Sequence, residues 1–180
     1  RRRDGGTADI LVVEAAQRRG AQLTQAAGGF WFNGGVGRPH SNKHRRRRNR
    51  TLTGLQALAA PEGICYGCGC AHPSGLHVQS YWDADGIHLV CRHTTDSTFT
   101  GWPGLVYGGL LAMLVDCHSN WTAMAYHYRC EGREPGSLPR IDCVTGSLGL
   151  NYLKPTLMVV ELLLKARAEG EVGRKSRAVC

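Results

Sequence analysis

The chain has 180 residues, 42% of them apolar, with 24 glycines, eight cysteines and a formal net charge of +8. Residues 1–50 carry +9 and residues 51–180 carry −1, so the excess charge does not argue for a nucleic-acid-binding face on the part that can fold. No run approaches the roughly 20 apolar residues that span a bilayer, which excludes a membrane helix.

Residues 1–60 are rich in Arg and Gly, with Arg runs at 1–3, 18–19 and 45–48. Like charges at this density repel and resist packing, so this segment reads as a disordered basic tail in which only 10–17 has a helical look. Deletion of residues 1–55 is expected to leave the rest intact, and the folded domain is expected to occupy 61–180. Next come Cys65, Cys68, Cys70 and His72, whose side chains suit zinc. Structural zinc usually draws two separated ligand pairs together, whereas these four fall within eight residues, so the expectation is a glycine-rich turn with small thiols, no metal and no cofactor. Without a secretory leader the cysteines read as free thiols in a reducing cytoplasm.

Residues 76–82 and 87–94 read as strands joined by a turn at 83–86, whose Asp83 and Gly86 give a hairpin signal. A long helix follows. Pro103 and Gly104 break what precedes, and from 105 to 128 no Gly or Pro appears beyond Gly108 and Gly109, so several turns fit. Leu110, Leu111, Met113, Leu114, Val115, Trp121, Ala123 and Met124 make the helix apolar nearly all round, the pattern of a buried helix. Asp116 on it is then expected in dry surroundings, where burial penalises its ionised form unless donors compensate. Glycine costs about 0.5–1 kcal/mol in a helix relative to Ala, so a glycine pair at the first turn suggests close approach to the backbone. Unpaired N–H groups at that end suit a developing oxyanion. Cys117 beside His118 is rejected as a nucleophile–base pair, because consecutive helical residues do not face one another. Residues 131–140 read as a loop, 141–153 and 159–168 as strands, 169–173 as a turn, and a fifth strand starts near Arg174. An antiparallel sheet around one long helix is an α+β pattern.

Three stretches in order carry a family resemblance. They are Cys65-Tyr-Gly-Cys-Gly-Cys-Ala-His-Pro-Ser-Gly-Leu76, Pro103-Gly-Leu-Val-Tyr-Gly-Gly-Leu-Leu-Ala-Met-Leu-Val-Asp-Cys-His118, and Cys143-Val-Thr-Gly-Ser-Leu-Gly-Leu-Asn-Tyr-Leu-Lys-Pro-Thr156. From about Gly63 onward the chain resembles the PaaI-like acyl-CoA thioesterases of the hotdog fold. The resemblance implies Asp116 as catalytic carboxylate, the Gly108 N–H as the donor that polarises the thioester carbonyl, Gly109 as shaping the turn, and Thr145 as helping to place the attacking water. Tyr107 stands where many members have a His, and is taken as a substrate-binding residue; Gly101 stands where some have an Asn. The fold ordinarily continues the fifth strand and adds a sixth, so the chain reads as truncated at its C-terminus.

Helix geometry adds a constraint. Gly108 and Asp116 are eight residues apart, or about 12 Å at 1.5 Å per residue, too far for one thioester carbon to touch both. If both act in one reaction they come from two subunits, which demands at least a homodimer, or a dimer of dimers, with sites at the interface. The expected activity is therefore hydrolysis of acyl-CoA to a carboxylic acid and CoA, with Asp116 as base or nucleophile. The alternative is a non-catalytic acyl-CoA binder or sensor.

Overall fold

The computed structural model describes residues 53–180 and the backbone of one short strand, Val13–Ala16. In chain order the elements are β1 (Val13–Ala16), α1 (Leu55–Ala59), β2 (Tyr81–Trp82), β3 (Leu89–His93), a 3₁₀ turn (Ser97–Phe99), α2 (Gly108–Cys130), β4 (Leu162–Glu169) and β5 (Lys175–Val179). Among the described residues the strands form one antiparallel sheet in the order β1-β5-β4-β3-β2, and α2 lies against β4 and β5. One long helix held by an antiparallel sheet is the α+β hotdog fold.

The helix has defined ends. Before it, Gly101 N–H donates to Leu105 O (3.0 Å) and Tyr107 N–H to Phe99 O (2.8 Å), folding the chain back on itself. On the other side Val106 N–H donates to Thr156 O (2.8 Å) and Met158 N–H to Gly104 O (3.1 Å). These short ladders fix where the first turn of α2 starts. At the other end Gly132 takes a left-handed conformation (φ 62) just past the Glu131 cap, the usual stop for a helix.

Burial on β3 and β4 follows the two-residue alternation of a strand. Leu89 and Cys91 of β3 pair across to Ala166 and Leu164 of β4, and all four are buried. Val78, Cys91 and Leu164 pack with Leu110, Leu114 and Cys117, a single stripe at i, i+4 and i+7. Further along, Trp121, Met124, Ala125 and Tyr128 pack with Leu89, Ile141 and Leu55. The outward faces carry ion pairs such as Lys165 with Asp83 (2.8 Å) and Asp85 (3.1 Å), which as exposed pairs contribute little.

A buried polar chain joins α1 to α2. Gln56 Nε2 donates to Ser80 Oγ (3.0 Å), Ser80 Oγ bonds His118 Nδ1 (2.8 Å), and His118 Nε2 reaches Leu89 O (3.2 Å). The direction works with a neutral imidazole donating from Nε2 and accepting at Nδ1. Burial pushes the His118 pKa down to about 4, only partly opposed by the Leu89 carbonyl.

Several expectations change. Most of segment 1–60, including its Arg runs, lies outside the described residues. Within it Val13–Ala16 is a strand paired with β5 where 10–17 had a helical look, and Leu55 and Gln56 are buried in a helix, so the core draws on residues that the charge pattern assigned to the tail. The 83–86 turn does join β2 and β3, with Asp83 N–H donating to His88 O (2.8 Å). Segment 141–153, expected as a strand, contains none.

Candidate active site

Asp116 sits on α2 where the helix changes from half-covered to fully covered. It is half-buried, whereas Cys117, His118 and Ser119 after it are buried. The dry surroundings expected for it are therefore only partial. Its carboxylate is compensated by donors: Thr145 Oγ1 donates to Oδ1, and Asn120 Nδ2 lies 3.3 Å from the same oxygen. Asn120 Nδ2 also reaches Thr145 Oγ1 (2.5 Å) and the Asp116 carbonyl (3.2 Å). The amide is thus bound to both members of the Asp116–Thr145 pair, while its own Oδ1 is buried without a partner.

Asn120 was not among the residues expected at the site. Its signal in the sequence was the i, i+4 spacing from Asp116, which puts two side chains on one helix face. Thr145 was expected, on the family resemblance, and the structure brings it to Asp116 from segment 141–153.

The other end of that segment reaches the start of the helix. Tyr152 Oη donates to Gly108 O (2.9 Å), and a Cβ at Gly108 would meet the Tyr152 ring at 3.6 Å, an ordinary contact. Residues 145 and 152 therefore flank residues 116 and 108 in reverse order, so the segment runs antiparallel to α2. Seven residues of extended strand would cover about 23 Å, against about 12 Å of helix axis. Following the helix forces the segment to be compacted, which is why it is irregular.

The glycine pair has a local explanation as well. A Cβ at Gly109 would lie 2.3 Å from the Tyr107 ring, so the close approach to the helix start is made in part by the chain's own Tyr107. That side chain is 55% exposed. The amides of Gly108 and Gly109 belong to the first turn, where an α-helix offers no internal acceptor.

Cys70 and His72 do not join Cys65 and Cys68. Cys70 Sγ accepts from Gln79 Nε2 (3.4 Å) and the His72 ring meets Tyr66 edge-on at 5.3 Å. The sulfur that does join them is that of Cys117, and the three Sγ atoms lie within 4.8 Å of one another. Hydrogen bonds from Cys117, Trp121 and Cys65 pull the Cys68 pKa down against its burial, and the hydrogen bond to Cys68 together with burial pushes Cys117 up. His118 points to Ser80 and Leu89, as expected of a neighbour facing away. A groove of about 570 Å³ over β2 and β3, lined by Tyr81, Trp82 and Arg92 among others, includes none of the expected site residues.

A thioesterase superfamily protein from Shewanella loihica PV-4, known from a crystal structure, is similar to this chain. The match has 30% identity over 61% of this chain and 91% of that one, with a TM-score of 0.44. By that identity and coverage, and not by the superposition, the chain belongs to the thioesterase superfamily. No family model matches the chain, and no curated protein does. Among the described residues no helix is long and apolar enough to cross a membrane.

Proposed function

We propose that the protein is an acyl-CoA thioesterase of the PaaI-like kind, with Asp116 as its catalytic carboxylate. The observation that supports this is the half-buried Asp116 carboxylate, oriented by Thr145 and Asn120 on a helix whose unpaired N-terminal amides lie about 12 Å away. In this reading a water oxygen attacks the thioester carbonyl carbon and Asp116 takes the water proton. The Gly108 N–H of a second subunit stabilises the oxyanion. Collapse of the tetrahedral intermediate breaks the C–S bond, and the departing CoA sulfur receives a proton. Asp116 as nucleophile is the variant of the same scheme, with an acyl anhydride that water then opens.

The helix spacing makes the site composite, so the working unit is at least a homodimer. Gly108→Val and Asp116→Asn chains, each nearly inactive alone, should regain activity when mixed and allowed to exchange subunits, because one hybrid site is intact. Proven exchange without recovery would place both groups in one subunit and break the scheme. Single turnover in ¹⁸O-water separates the two Asp116 roles: label in the side chain marks the anhydride, and label only in the product acid marks the base.

A further inference from the structure

The turn before β2 is built around a sulfur atom from the helix. Cys65 and Cys68 have the C-x₂-C spacing of metal-binding turns, and Gly69 N–H donates to Cys65 O (2.7 Å), curling the turn so that both thiols lie near Cys117. A Cβ at Gly67 would lie 2.4 Å from Cys117 Sγ. Of the two residues between the cysteines, Tyr66 and Gly67, the second is therefore a glycine where the Cys117 sulfur needs the room. Cys117 comes from α2, some fifty residues on, which supplies the separated ligand that the local spacing of Cys65, Cys68, Cys70 and His72 lacks.

The distances suit a shared ion. Zinc–sulfur bonds of about 2.3 Å in tetrahedral geometry set sulfurs about 3.8 Å apart; Cys65 and Cys117 Sγ are 4.0 Å apart, and no pair among the three exceeds 4.8 Å. The Trp121 indole N–H donates to Cys68 Sγ at 3.3 Å, the kind of outer hydrogen bond that orients a thiolate ligand. Cys117 is buried and Cys65 exposed, so the triangle of sulfurs opens to solvent on one side. Among the described residues no fourth His, Cys, Asp or Glu joins the three.

We propose that Cys65, Cys68 and Cys117 form a three-thiolate site for a zinc ion, with a water or other exchangeable ligand in the fourth position on the Cys65 side. Binding replaces three S–H protons by three Zn–S bonds and releases those protons to solvent. The bound unit carries one net negative charge, spread partly onto the Trp121 N–H.

The test uses the full chain, reduced, stripped with a chelator and titrated with Zn²⁺ against a chromophoric competitor. One equivalent per chain is expected, and Co²⁺ in its place should give sulfur-to-metal charge-transfer bands. Trp121→Phe should weaken zinc by about tenfold. Cys65→Ser and Cys117→Ser should each weaken it more, and Cys70→Ser should leave it unchanged. Cys65 is exposed, so its variant keeps the core, and a native circular dichroism spectrum for it keeps the result readable even where Cys117→Ser fails to fold. Zinc affinity unaltered by Cys65→Ser would overturn the site. So would uptake of Cu(I) without Zn²⁺, or a Cys65–Cys117 disulfide in the mass spectrum of metal-free protein that re-forms in preference to zinc uptake.

Discussion

The two halves of α2 are built to different standards. From Gly108 to Asp116 only Leu110 and Leu114 are buried, whereas from Cys117 to Tyr128 only Asn120 and Tyr126 escape burial. The first half makes one stripe of contact with the sheet and leaves its remaining sides to segment 141–153, to Tyr107 and to open surface. The second half is enclosed and holds buried polar groups, His118, Ser119, Thr122 and His127, among its apolar ones. A helix anchored by one end can present the other without unfolding. The contrast predicts that substitutions at the uncovered positions of the first half, away from buried Leu110 and Leu114, change turnover with little effect on stability, and that those touching the second half do the reverse.

The largest expected effect is Asp116→Asn. The amide has the same size and still accepts from Thr145, so the unfolding midpoint should hold. Turnover should fall by about 10²–10⁴-fold, a barrier higher by roughly 3–5.5 kcal/mol. Retention of ligand binding with hydrolysis within about threefold of the parent would end the assignment and favour the binder that does not turn over. Leu55→Ala tests the opposite pole. Leu55 packs with Trp121, Met124 and Tyr128, and its truncation should cost about 2–5 kcal/mol in urea unfolding with turnover per folded molecule unchanged. An unaltered unfolding curve would return α1 to the tail.

Thr145→Val removes a hydroxyl bonded to the carboxylate and keeps the shape. Hydrogen bonds to charged groups are worth about 1.5–3 kcal/mol, so kcat should drop about ten- to a hundredfold while stability moves little. A large loss of stability with normal kcat would make Thr145 part of the scaffold. The smallest effect belongs to His118. Its folded pKa of about 4 lies below the ordinary value of 6.5, so the unfolded chain binds the extra proton first. The stability that this contributes is complete above pH 6.5 and is lost as pH falls toward 4, about 2 kcal/mol of it between pH 7 and pH 5. His118→Gln should flatten that part of the stability profile, and a profile with the same slope in the variant would assign it elsewhere.

The long helix and the 83–86 hairpin were legible because each rests on local signals, a glycine pair followed by a largely apolar stretch without further Gly or Pro, and an Asp/Gly turn between two strand-like segments. Segment 141–153 was misread as a strand for the complementary reason. Its composition suits an extended chain, but Thr145 and Tyr152 are tied to points on a helix that rises only 1.5 Å per residue, and no local pattern encodes that tie. The same limit applies to the sulfur cluster. Spacing within 65–72 gave no reason to include Cys117, which only the docking of α2 brings near. Leu55 and Gln56 were hidden by charge bookkeeping, since a nearby Arg run says nothing about which neutral residues beside it are buried.

The Tyr107 ring over Gly109 has a consequence for anyone varying the start of this helix. A side chain at 109 and the ring at 107 claim the same volume, so the two positions form a single choice with a limited set of joint solutions. A library that changes 109 while holding Tyr107 samples only chains whose ring has swung off the helix, and scores the displaced ring along with the new residue. Varying 107 and 109 together, with a small residue at one whenever the other is large, explores the mouth of the helix without that confounding clash.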